Sequence, residues 1–249
     1  MQLFYTPDIL PESRTYVLSE AESKHAVRVL RLQVGSSLHL VDGRGGLYAG
    51  TVTDAHPKRT TIQINQVQSA FEKRPYYVHL AVAPTKNIDR IEWLLEKVTE
   101  IGVDEITPII CEHSERKEVK IERLNKVMVA AMKQSLKAYL PQLNEPIKLA
   151  DFLKSQQDAT QQMFIAHCAD GEKSYIADHV VPVRNSLILI GPEGDFSATE
   201  IETALAAGCV PVTLGTARLR TETAALTACL EIAIAKRAAD HSISSASNT

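Results

Sequence analysis

Two apolar strand-like runs, each closed by a glycine turn and followed by a helix, stand in succession between Leu187 and Ala239. The first, Leu187-Ile188-Leu189-Ile190, is short and wholly aliphatic, the pattern of a strand buried on both faces, and it stops at Gly191-Pro192-Glu193-Gly194. Pro192 presets one turn residue, while Gly191 and Gly194 permit backbone angles, or a close ligand approach, that a β-carbon obstructs. Ser197 lies three residues before Glu200, a capping-box spacing, so a helix is expected from about 198 to 207 with its stop at Gly208. A second apolar strand, 209–214, leads into Gly215-Thr216-Ala217 and then Arg218-Leu219-Arg220-Thr221-Glu222-Thr223. The long helix behind it carries Leu226, Cys229, Leu230 and Ala233 at helical spacing, its expected buried face. Units of this kind build a mostly parallel α/β sheet, whose ligands bind where strands end at their carboxyl edge. Neither turn is a GxGxxG or GxxxxGK[ST] motif, so the common dinucleotide and P-loop readings lose their weight; an ordinary connecting turn is the alternative for each.

Upstream, residues 1 to 70 read as a small, mainly β unit. The runs 37–41 and 47–53 flank Asp42-Gly43-Arg44-Gly45-Gly46, a hairpin signal, and 61–65 alternates at the strand period. A helix precedes them: Ser19 and Glu22 have capping-box spacing, Val27 and Leu30 are expected to face inward, and Lys24, Arg28 and Arg31 form one exposed basic stripe. His25 is expected inside this unit. Residues 69–75 read as a linker. Beyond it come a buried strand over 76–83, a helix capped by Asn87 and ended by Gly102, and a strand over 106–110, a βαβ unit. A helix is expected from 121 to 139, with Ile121, Leu124, Met128 and Ala131 inward and Arg123, Lys126, Lys133 and Lys137 outward, a second basic face that solvent explains as well as nucleic acid does. The tail from His241 to Thr249 is expected to fray.

The 45% hydrophobic content is that of a globular chain with a sizeable core, and no run of it has the length of a membrane span. The N-terminus lacks the basic start and apolar core of a signal peptide, so a cytoplasmic protein is expected, with no membrane partner. Cys111, Cys168, Cys209 and Cys229 form no CxxC or zinc pattern, so reduced thiols, no disulfide and no metal are expected. A net charge of −3 argues mildly against a non-specific nucleic-acid binder, without excluding a local basic surface.

Taken together, Gly191-Pro192-Glu193-Gly194 and Leu214-Gly215 followed by Arg218-Leu219-Arg220-Thr221-Glu222-Thr223 resemble the SPOUT class of RNA methyltransferases, and within it the ribosomal RNA small subunit methyltransferase E (RsmE) family. The run from His25 to Arg31, with Gly35 and Asp42-Gly43, resembles that family's N-terminal PUA-like RNA-binding domain. The resemblance covers nearly the whole chain. It implies a PUA-like β-barrel domain over 1–70 and a SPOUT domain over 75–240 with a deep trefoil knot, an exception to the rule that chains are unknotted. It implies S-adenosylmethionine as cofactor, held by His167, Leu189, Ile190, Gly191, Glu193, Gly194, Leu214, Gly215, Arg218 and Leu219, largely through backbone groups. It implies methylation of N3 of a uridine in 16S rRNA, with rRNA or the small ribosomal subunit as partner. RNA contacts are then assigned to Lys24, Arg28, Arg31, Lys133 and Lys137. A homodimer is also implied, each site completed by the second subunit; the small apolar surface of the last helix, Ala224, Ala225, Ala228, Cys229, Ile232 and Ala235, is consistent with it.

Three departures from the family pattern stand out. Gln2 and Leu3 occupy positions where several relatives have arginine, Asp195 replaces a frequent second glycine, and Lys137 and Tyr139 replace two arginines in the segment from Gln134 to Pro141. Methyl transfer from a sulfonium mainly requires that acceptor and methyl be held at attack distance. Uracil N3 must also lose a proton, which leaves charge on its oxygens and calls for a base and a cation. Arg220 is the candidate cation and Glu222 the candidate proton acceptor; alternatively the two pair with each other or cap the last helix. A non-catalytic RNA-binding or ribosome-assembly protein of the same fold, and a SPOUT enzyme acting on tRNA, are the competing readings.

Overall fold

The computed structural model describes residues 2–156 and 160–246, with side chains through residue 238. The chain forms two compact units: one holds the residues up to Lys73 together with Val129–Leu140, the other Arg74–Met128 with the chain from Pro141 onward.

The first unit is built on β1 (Leu3–Tyr5), β2 (Thr15–Val17), the short helix α1 (Glu20–Lys24), β3 (Ser37–Val41), β4 (Leu47–Asp54) and β5 (Thr61–Gln68). Its five strands lie in the order β1-β3-β4-β5-β2, with β1 parallel to β3 and the other pairs antiparallel. Alternate residues of β3, β4 and β5 turn inward, so Leu38, Leu40, Tyr48, Val52 and Ile62 form a core with Phe4, Ile9 and Leu18. After α1 the helix widens into one π turn, His25–Val29, and the chain then turns at Arg31 with φ +56°. That widening shifts the expected register. Ser23 and Ala26 are the buried residues, Val27 and Leu30 are half-buried, and His25 is exposed, its ring edge set against Phe4 at 6.2 Å. Ser19 Oγ accepts from the Glu22 backbone N–H at 3.3 Å, but the reciprocal half of the capping box is replaced: the Glu22 carboxylate takes the Lys133 ammonium at 2.6 Å.

The second unit contains β6 (Val78–Val82), α2 (Ile88–Ile101), β7 (Glu105–Ile110), α3 (Ile121–Gln134), β8 (Gln142–Leu143), β9 (Ile147–Lys148), α4 (Leu149–Ser155), β10 (Gln162–Ala166), β11 (Ser174–Tyr175), β12 (Ser186–Ile190), α5 (Ala198–Ala206), β13 (Val210–Thr213) and α6 (Thr221–Ala246). The last part of α3 and the turn after it, residues 129–140, belong to the first unit, where Met132 and Ala138 pack with Leu3 and Val41. The helix ends at Gln134, short of 139, because Leu136 turns left-handed at φ +59°. The eight strands run β11-β13-β10-β12-β6-β7-β8, with β9 also on β7, and every pair is parallel. As expected of a strand covered on both faces, all five residues of β6 and of β12 are buried. Ser197 and Glu200 close the full capping box of α5, and Gly208 follows it at φ +91°.

Helix α6 is rotated from its expected orientation. Ala225, Ala228, Cys229, Ile232 and Lys236 are buried, whereas Leu230 and Ile234 are 40% and 53% exposed. Small side chains let the helix backbone lie close to its neighbours, so alanines, not leucines, form the covered stripe. The backbone of α6 continues through Ala246, beyond the expected start of fraying at His241; residues 247–249 lie outside those described. No described helix is long and apolar enough to cross a membrane.

Candidate active site

Parallel pairing brings the carboxyl ends of the central strands level. Ala166 of β10 is in register with Ile190 of β12 and with Val212 of β13, and Ile190 with Val82 of β6. The residues that follow, His167, Gly191, Leu214 and Ala83, therefore emerge along one edge. The expected cofactor residues lie along it, although Leu189 and Ile190 have their side chains in the buried interior and their backbone in a strand paired on both sides, the Ile190 carbonyl accepting from Ala83 N at 2.9 Å.

Each loop of this edge is tied to another. Gly191 lies against the Phe196 ring, where a β-carbon would sit 3.1 Å from two ring atoms, and its carbonyl accepts the Thr221 hydroxyl at 3.1 Å. A β-carbon on Gly194 would meet His113 Cβ at 2.9 Å. Close packing thus disfavours any side chain at Gly194 and leaves little room for one at Gly191, and neither has positive φ. Glu193 Oε1 accepts the Lys86 backbone N–H at 3.0 Å, which joins the loop after β12 to the loop after β6. Lys86 lines a cleft of about 470 Å³ with Glu115, Arg116, Lys117 and Glu118, and Arg116 braces it by donating to the carbonyls of Thr85 and Lys86.

Asp195 is the hub. It adopts φ +61°, a conformation open to glycine and tolerated by aspartate. Its carboxylate accepts from Cys168 N at 2.7 Å and Phe196 N at 2.8 Å, and its carbonyl accepts from His113 Nδ1 at 3.0 Å. Hydrogen bonding to that carbonyl holds the His113 pKa above its ordinary value. Partial burial, with the Lys173 ammonium nearby, lowers that of His167. His167 Nδ1 is buried with no hydrogen-bond partner, an unsatisfied polar atom just beyond the end of β10.

In the last loop Gly215 has φ +112° and open space where a side chain would lie, while Arg218 and Arg220 are exposed and Leu214 and Leu219 half-buried. The Arg220 carbonyl accepts from Ala224 N at 2.8 Å, which starts α6; among the described residues its guanidinium has no ion pair. Glu222 does not pair with Arg220. It is buried at 7% exposure, with Oε1 3.7 Å from Arg90 Nε and Oε2 unpartnered. Arg90, on the first turn of α2, went unnoticed in the sequence because a charged residue on an amphipathic helix is the usual solvent-facing kind.

The basic faces separate. Lys24, Arg28 and Arg31 are exposed and make no ion pair among the described residues. On α3, Arg123 is bound to Glu92 and Lys126 to Glu122, and Lys133 joins Glu22 and lies 5.6 Å from the Phe4 ring centroid. Lys137 is half-buried. The phenol of Tyr139 fills the space beside Gly45, where a β-carbon would lie 2.2 Å from its oxygen, so it is packed in the first unit.

This arrangement, a parallel sheet whose glycine loops meet at one carboxyl edge after a small β unit, matches RNA methyltransferases in sequence. Residues 72–233 match the RNA methyltransferase domain family and residues 18–65 the RNA methyltransferase PUA domain. The chain belongs to the ribosomal RNA small subunit methyltransferase E family, of the SPOUT class. It is 29% identical over 235 residues to the Rickettsia conorii protein of that name, covering 92% of this chain and 93% of that one. A probable rRNA-methyltransferase from Porphyromonas gingivalis is 41% identical with TM-score 0.88, covering 96% of this chain and 99% of that one. The Neisseria gonorrhoeae ribosomal RNA small subunit methyltransferase E bound to S-adenosyl methionine is 27% identical with TM-score 0.83, covering 92% and 95%.

Proposed function

We propose that this protein is an S-adenosylmethionine-dependent methyltransferase that methylates N3 of one uridine in 16S rRNA, on the assembled small subunit and as a homodimer. The observation that carries the reading is a buried carboxylate, Glu222, with one oxygen unpartnered at the start of the helix that Thr221 ties to the first glycine loop. Family membership and the cofactor-bound Neisseria relative support the cofactor.

The edge fits S-adenosylmethionine in its donor set. Backbone groups of Gly191, Leu214 and Gly215, the unpartnered His167 Nδ1 and the partly exposed Leu219 would hold it; when bound it supplies an electrophilic methyl on a sulfonium. Glu193, Gly194 and Asp195 brace those loops from behind. The chain's own chemistry is to hold uracil N3 in line with that methyl and to accept the N3 proton on Glu222 Oε2. The free guanidinium of Arg220 then faces the charge that develops on the uracil oxygens. Lys24, Arg28 and Arg31 contact RNA phosphates; Lys133 does so only by giving up Glu22, and Lys137 adds a point charge without bidentate geometry. Leu230 and Ile234, exposed on α6, face the second subunit. Of the two features that support a non-catalytic protein, Asp195 and the altered segment from Gln134 to Pro141, the first is weakened because its conformation and hydrogen bonds hold the loops together.

The test is primer extension on small subunits from cells lacking the gene, incubated with purified protein and S-adenosylmethionine. A methyl on N3 blocks the pairing edge, so reverse transcriptase halts beside it. A cofactor-dependent stop that Arg220→Ala abolishes is the expected result. Methyl incorporation into subunits without such a stop would reject the N3 assignment, and no cofactor binding at all would favour the non-catalytic reading.

A further inference from the structure

Arg90 and Glu222 come from distant parts of the second unit, yet α2 and α6 bring them together. Glu222 is nearly excluded from water and is not readily left there alone, because a buried carboxylate without a partner is strongly disfavoured. Arg90 Nε, 3.7 Å from Oε1, is the one cation within ion-pair reach of it among the described residues. The distance is long for a hydrogen bond, so the contact is chiefly one of charge, and it engages one oxygen only. Oε2 is left without a donor, although a buried carboxylate oxygen normally has one. A purely structural ion pair would be expected to satisfy both oxygens. One oxygen held and the other vacant is the arrangement a proton acceptor needs.

We propose that Arg90 is a positioning residue for methyl transfer: it orients Glu222 through Oε1 and so leaves Oε2, which has no partner in the chain, to accept from the N–H of the acceptor base. This rests on the role proposed above for Glu222. In this role Arg90 acts on Glu222 and not directly on RNA or cofactor. Its effect therefore belongs to the chemical step and passes entirely through Glu222.

The experiment measures kcat and KM for methyl transfer to small subunits, with cofactor affinity by calorimetry, for the wild type, Glu222→Gln, Arg90→Met, Arg90→Lys and the double variant Arg90→Met with Glu222→Gln. Arg90→Met is expected to lower kcat by about 10- to 100-fold, with KM and cofactor affinity changed less than about twofold. Arg90→Lys recovers most of the loss, and adding Arg90→Met to Glu222→Gln costs nothing further, since the residue it acts through is already gone. An unchanged kcat in Arg90→Met beside an impaired Glu222→Gln overturns the positioning role. So does a further loss in the double variant, which would show that Arg90 acts independently. Should Glu222→Gln retain full kcat, it is the proton-acceptor reading that fails, and the Arg90 proposal falls with it. If Arg90→Met does not fold, Arg90→Gln, which keeps a donor and removes the charge, is read by the same criteria.

Discussion

Asp195 carries a left-handed backbone and two carboxylate hydrogen bonds at once, so its substitutions separate conformation from bonding. Asp195→Asn keeps an acceptor and tolerates the conformation; Asp195→Ala loses both bonds and adds about 1–2 kcal/mol of backbone strain. Calorimetry with S-adenosylmethionine should therefore give a clear loss of affinity for Ala and a smaller one for Asn. His79 makes a different kind of prediction. It is buried, with Nε2 2.7 Å from Thr107 Oγ1, and burial lowers its pKa despite Glu105 nearby. The unfolded chain then binds the proton more readily, so the stability owed to neutral His79 is complete above its ordinary pKa and lost as pH falls through the lowered one. Denaturant melts from pH 7 to 5 should show a decline that His79→Gln reduces.

At the scale of elements, ordinary capping chemistry sets the ends of the helices that frame the site. Ser197 receives Glu200 N while Glu200 receives Ser197 N and also Glu112 N at 2.8 Å, so this cap joins the α5 start to the loop after β7. Replacing Ser197 by alanine should cost about 1 kcal/mol in urea unfolding, and Glu200→Ala should cost more because it frees two backbone donors. On α6, the Lys236 ammonium is fully buried, donates to the carbonyls of Pro182 and Arg184 and lies 4.9 Å from the Tyr76 ring centroid. Burial, with the Arg74 charge nearby, lowers its pKa to about 8. Between that value and the ordinary lysine range the unfolded chain holds the proton and the folded one releases it, so this group favours folding as pH rises. Measured against Lys236→Met, wild-type stability should gain on going from pH 7.5 to 10.

For the whole molecule, assembly and RNA binding are the collective properties. If α6 mediates the dimer, Leu230→Glu with Ile234→Glu should give monomers in sedimentation, with methyl transfer lost and each chain still folded. If the exposed stripe of the first unit contacts phosphates, replacing Lys24, Arg28 and Arg31 together by alanine should flatten the salt dependence of RNA affinity by about 2 in logarithmic slope. Much of the architecture could be read from local chemistry: apolar runs gave β6, β7, β12 and β13, and Asn87, Ser197, Gly102 and Gly208 marked helix ends, because strand burial and caps act over a few residues. The glycine loops were legible for the same reason. Misjudged were elements whose conformation depends on distant partners: the π turn after α1, the early end of α3 and the rotation of α6. The sequence by itself therefore determined the main buried strands, the helix caps, the two glycine turns and the family. Tertiary structure alone decided that Lys133 pairs with Glu22, that Asp195 binds Cys168 and that Glu222 faces Arg90, since electrostatic and hydrogen-bond partners far apart in the chain are chosen only when the fold closes the distance between them.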